Sequence, residues 1–237
     1  MAMRIVKSAE VRKKEVLTVA MRLFASQGYE ETSINQIIEA LGISKGAFYH
    51  HYSSKEDLVE ALARMYAEEA TERARAVLED ETLDAFGRLS MFLSRMRNSK
   101  TEQAAELQAA FAPIFLERNL QLYERTQAAV NNVVRPILAR IIAEGVADRT
   151  FDTPDAEAAA EIMLHLMGST RPLIARLYAS TNQLDIERQV AAIAERMRYL
   201  STVIDRILGI PEGSIELADE KSICIISETW RRTSSAA

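Results

Sequence analysis

The stretch from Thr32 to Lys55, TSINQIIEALGISKGAFYHHYSSK, constrains this chain more than any other. Ser33 and Gln36 have the spacing of a capping box, so a helix can start there. Ile34, Ile37, Ile38 and Leu41 fall at i, i+3, i+4 and i+7, a single apolar stripe on a short helix. Gly42 stands where that helix must stop, because glycine enters the left-handed region without a Cβ clash. Ile43 can turn inward at the corner, and Ser44 can cap a second helix over roughly residues 45–51. That second helix has one clear core residue, Phe48, and is too short to be stable alone in water. A neighbour must hold it, leaving small, hydroxylic and basic groups outward. The pattern predicts a helix-turn-helix whose second helix enters the major groove of DNA.

The same residues carry a family likeness. Thr32-Ser33-Ile34, Ile37-Ile38, Leu41-Gly42-Ile43-Ser44, Gly46, Phe48-Tyr49, Tyr52, Ser54-Lys55 and Leu58 together resemble the DNA-binding domain of the tetracycline-repressor-like (TetR) transcriptional regulators, over about residues 8–60. Leu41 departs from the pattern, which usually has a small alanine before the turn glycine. The resemblance implies an all-α fold: a three-helix head at 1–54, a larger helical ligand-sensing and dimerisation domain at 55–208, and here an extension at 209–237. It also implies a homodimer, a palindromic double-stranded operator and a small-molecule effector. Tyr49 and His51 match family positions that contact the DNA backbone, with Thr32 and Lys55 on phosphates. By chemistry, Lys45, Ala47 and His50 face the bases. Lysine donates to guanine O6 or N7, and the alanine methyl meets a thymine methyl. Ser44 lies at the groove edge, and Gly46 permits close approach.

Composition agrees with a helical chain. Ala, Leu, Ile and Met abound, while 8 Gly and 5 Pro in 237 residues leave few long loops. The net charge of −5 looks wrong for a DNA binder, yet residues 1–55 hold eight Lys or Arg against five Glu. A basic head on an acidic body suits contact with phosphates at one end. No apolar run is long enough for a membrane span, and MAMRIVKSAE lacks a signal-peptide core. One cysteine, Cys224, fits a reducing cytoplasm. No nucleophile motif, metal-ligand pair or phosphate loop is visible, which ranks an enzyme last and predicts neither cofactor nor metal.

Along the chain, residues 1–8 form a short basic arm that can reach phosphates, and a helix is predicted from Ala9 to Gln27; Tyr29 after it resembles the aromatic that family members place against the recognition unit. Ser53 and Glu56 suggest a capping box opening a long helix to Leu78, the mechanical link between head and body. Further helices are predicted near 82–97, 102–118, 119–145, 154–179 and 185–208, with Pro113, Pro136 and Pro172 able to break three of them. The last two, rich in alanine, are the expected dimer helices, giving a four-helix interface. SICIIS at 222–227 has strand character. For the effector cavity implied by the family, Met91, Phe92, Phe111, Phe115, Tyr123, Met163 and Met167 are candidate lining, since methionine and aromatics suit varied apolar ligands. Arg171, interrupting an apolar helix, can meet an anion. A competing expectation is a nucleoid-organising DNA binder of the same fold with no effector.

Overall fold

The computed structural model describes residues 9–102 and 110–234 and is helical throughout them. The basic arm and part of the helix expected at 102–118 lie outside the described residues. The head comprises α1 (Ala9–Gln27), α2 (Ile34–Leu41) and α3 (Lys45–Tyr49). The capping box at the start of α2 forms: Gln36 N donates to Ser33 Oγ at 3.2 Å, and Ser33 N donates to Gln36 Oε1 at 2.6 Å. Gly42 takes the left-handed turn at φ 61°, and Ser44 caps α3 by accepting from Ala47 N at 3.2 Å.

Helix α4 (Lys55–Leu78) opens one residue later than the expected box. Ser54 is the cap, accepting from Asp57 N at 3.1 Å, and the Asp57 carboxylate reaches back to the Ser53 amide at 3.0 Å. Asp57, rather than Glu56, therefore closes this terminus. Beyond it come α5 (Ala85–Glu102), two 3₁₀ turns (Ala112–Phe115 and Glu117–Asn119) and α6 (Leu120–Ala147). Then follow α7 (Ala156–Gly168), α8 (Arg171–Tyr178), α9 (Gln183–Ile207) and α10 (Glu220–Ser234). The three prolines behave differently. Pro113 starts a 3₁₀ turn, Pro136 is absorbed inside α6, and Pro172 divides the expected 154–179 helix into α7 and α8. Pro172 sits in the first turn of α8, where a missing N–H costs nothing.

The tail overturns the strand expectation. Residues 222–227 lie inside α10, whose start is capped by Asp219 accepting from Ser222 N at 2.7 Å. Ile223 and Trp230, seven apart, pack together on Leu177, Ile186 and Val190. That is a helical period, which the run of β-branched residues had masked.

Three cores organise the described residues. The upper one joins the head (Val16, Phe24, Ile37, Phe48) to Leu58, Val59 and Leu62 of α4, and to Ala110, Ile114 and Leu122 of the body. The second holds Ala74 of α4 with Leu89, Phe92, Leu138, Ile142, Met163 and Ile204. The third is the small cluster beneath α10. Helix α4 thus begins in one large core and ends in the next. Between α6 and α7, Phe151 packs so closely on Gly145 that a Cβ there would lie 2.1 Å from its ring. Among the described residues, no helix is long and apolar enough to cross a membrane.

Candidate nucleic-acid interface

Phe48 is the pivot of α3. It is fully buried in the upper core, with Tyr52 packed at a ring distance of 6.2 Å. With that side pinned inward, Ser44, Lys45, Gly46, Ala47, Tyr49 and His50 all stand exposed, and His51 is half-buried. Tyr49 is 53% exposed, its ring edge-on to Phe48 at 5.4 Å, so it projects outward instead of packing on α1. Open space surrounds the position a Cβ would take at Gly46. The His50 and His51 rings lie 5.0 Å apart. Desolvation first, then the nearby charges of His50, Lys13 and Arg12, hold the His51 imidazole below its ordinary pKa. Lys13 and Arg12 of α1 thus stand near the end of α3, each also paired with a glutamate of the same helix, Glu10 and Glu15.

Two of the expected phosphate contacts point elsewhere. Thr32 is fully buried: its hydroxyl donates to Gly28 O at 2.7 Å and accepts from Gln27 Nε2 at 3.1 Å. It ties the α1–α2 turn and has no face toward solvent. Lys55 Nζ donates to Tyr29 O at 2.8 Å and Glu30 O at 3.3 Å, and lies 4.3 Å from the centre of the Tyr29 ring. Its ammonium is committed to the same turn, because two carbonyls and an aromatic face offer it more than open solvent does. Half-exposed, Lys55 ties α4 to the head.

The sequence also missed an ionic clasp. Arg125 on α6 reaches Asp57 at 2.7 Å and Glu60 at 2.8 and 3.0 Å on α4, while Arg118 meets Glu30 at 2.9 Å. Hydrogen bonds from Ser53 and then Arg125 hold the Asp57 carboxyl well below the usual carboxylate range. Separations of 65 or more residues hid these pairs from any local pattern.

The expected effector lining does not gather into one set. Phe92 and Met163 are filled into the second core, and Met91 is exposed on α5. Phe111, Phe115 and Tyr123 flank the upper core, Met167 is half-buried on α7, and Arg171 lies over Tyr123. Apart from Met91, helical spacing placed these residues on inward faces without deciding which core each face meets. A separate groove of about 430 Å³ runs along α7, lined by Ala158, Glu161, Ile162, His165, Leu166 and Ser169. Among the described residues, no three His, Cys, Asp or Glu side chains converge as a metal site would require.

Residues 16–62 match the model of the bacterial regulatory proteins of the tetR family. Over 181 residues the chain is 26% identical to the HTH-type transcriptional repressor KstR2 of Mycolicibacterium smegmatis, covering 75% of this chain and 84% of that one. It is 43% identical over 70 residues to the HTH-type transcriptional repressor AcnR of Corynebacterium diphtheriae; there the match covers 30% of this chain and 35% of the relative. The fold is similar to that of the fatty acid degradation regulator FadR from Bacillus halodurans, with a TM-score of 0.55 at 16% identity, over 82% of this chain and 96% of that one.

Proposed function

We propose that this protein is a DNA-binding transcriptional regulator of the TetR family, working as a homodimeric repressor released from a palindromic operator by a small-molecule effector. The observation that carries the reading is the division of α3: Phe48 is locked in the core, while Lys45, Gly46, Ala47, Tyr49 and His50 form an open face. Lys45, Ala47 and His50 read base edges from that face, with Ser44 at its margin and Gly46 allowing close approach. Tyr49 and His51 hold the backbone, which fixes register without choosing sequence. The protein acts by binding, in the cytoplasm where its DNA lies.

Exposed apolar surface supports dimerisation through α7 and α9. Ile162 on α7 is 48% exposed beside the groove, and Tyr199 on α9 is 66% exposed. Two copies joined there would set their recognition helices to enter successive major grooves, about 34–36 Å apart. Helix α4 supplies the coupling. Its first turns belong to the core that holds α3, and its last turns to the core of the body. A ligand that shifts the 110–123 segment moves the head with it, with a coupling typically of ~1–3 kcal/mol. The relatives that are named repressors support repression.

Selection of bound DNA from a random pool tests the reading. A palindrome with half-sites about one helical turn apart is expected. Recovery of no preferred sequence would overturn it, in favour of a general DNA-organising role.

A further inference from the structure

Arg171 stands where a structural arginine gains least. It is the first residue of α8, at the helix end whose dipole disfavours a cation, and no acidic side chain occupies that first turn. Among the described residues no carboxylate pairs with it. One terminal nitrogen, Nη2, donates to Leu116 O at 3.2 Å, and one face of the guanidinium lies 4.9 Å from the centre of the Tyr123 ring. Nε is buried with no partner. A buried donor left unmade is costly, and guanidinium edges suit planar oxyanions.

The surroundings are aromatic. Phe115 lies 6.0 Å from Tyr123 and stacks on Tyr178 at 5.2 Å with an interplanar angle of 17°. Tyr178 in turn meets Trp230 of α10 edge-on at 5.2 Å. Burial pushes the Tyr123 and Tyr178 hydroxyls up from their ordinary range, so neither supplies a counter-charge at neutral pH. Phe115 and Tyr123 also pack against the core that holds α3. A positive group with an orphaned donor therefore meets a run of flat apolar faces that begins beside the head, and the C-terminal extension closes the run.

We propose that Arg171 and the aromatic run from Tyr123 through Phe115 and Tyr178 to Trp230 form the effector seat, and that it takes a small organic anion with a flat apolar body. Arg171 binds the carboxylate or equivalent oxyanion, and the rings hold the body. This rests on the regulatory reading above and adds the chemical class of its effector. It also gives the extension a role: α10 contributes Trp230 to the seat.

Trp230 is the single tryptophan, so its emission reports on this place in the full-length protein. The probes are 2-naphthoate and its neutral twin 2-naphthamide. Naphthoate should shift Trp230 emission at least about tenfold more tightly than the amide, as expected for a charge-assisted bond to a half-buried cation. In Arg171→Gln the two affinities should become equal, while Arg171→Lys should retain a preference for the acid. Thermal unfolding without ligand checks that both variants fold. Equal affinities in the unaltered protein, no emission change with either compound, or a preference that survives Arg171→Gln would overturn the proposal. Operator binding without ligand, measured on the same preparations, tests the regulatory reading separately, so either can fail alone.

Discussion

At the scale of single residues, two lysines that look alike in the sequence have opposite fates. Lys45 is exposed on α3, whereas the Lys55 ammonium is held by two carbonyls and the Tyr29 ring. Lys45→Ala should therefore cost about 1–3 kcal/mol per half-site and relax the sequence preference at one position. Lys55→Met should lower the melting temperature of the head and leave the dependence of affinity on salt unchanged. Binding titrations across a salt series, paired with thermal melts, distinguish them. Asp205 offers a second test. It is fully buried and accepts from Gly213 N at 2.8 Å and Ile215 N at 3.0 Å, fastening the segment that leads to the extension. Asp205→Ala strands both amides and should destabilise the protein by about 2–4 kcal/mol in a urea melt. A third test concerns His50 and His51. A bound phosphate favours the protonated ring, so His51, depressed in the free protein, would have a higher pKa on DNA. Affinity should then rise as pH falls through the histidine range. In the His50→Asn, His51→Asn double variant that slope should flatten.

At the scale of elements, α3 is a helix of five residues whose position is set wholly by others. Phe48 anchors it and α1 backs it, while Lys55 ties α4 to the α1–α2 turn and the Arg125 clasp ties α4 to α6. The clasp is partly exposed, so screening by solvent leaves it little weight in overall stability. Its effect lies in orientation, because it fixes the first turns of α4 against α6. Arg125→Leu should change the melting temperature only slightly. It should weaken operator binding by loosening the angle between head and body, measurable by titration at low salt.

At the scale of the whole molecule, α7 carries apolar surface beside its groove and α9 carries the exposed Tyr199. A second copy covers both under the proposed reading. Two linked heads then bind with the advantage of effective concentration, which typically multiplies affinity by roughly 10²–10⁴. Ile162→Glu should yield a monomer in sedimentation. Its affinity for a full palindrome should fall to near that for a half-site, with the helical content unchanged.

The local signals in the sequence determined the head. Caps, turn glycine and apolar stripe act over a few residues, so Ser33, Gln36, Gly42, Ser44 and Phe48 hold the places their spacing predicts. The same signals gave an all-helical body. Tertiary structure alone decided where side chains end once more than one neighbour competes for them. Thr32 turned inward and the half-exposed Lys55 turned along the chain because the α1–α2 turn offers carbonyls that no sequence window displays. The candidate effector residues divided between cores because helical period fixes a face but leaves its partner open. Residues 222–227 became helix because Ile223 and Trp230 found a shared apolar surface on α8 and α9, and packing outweighed the β-branched preference of the run.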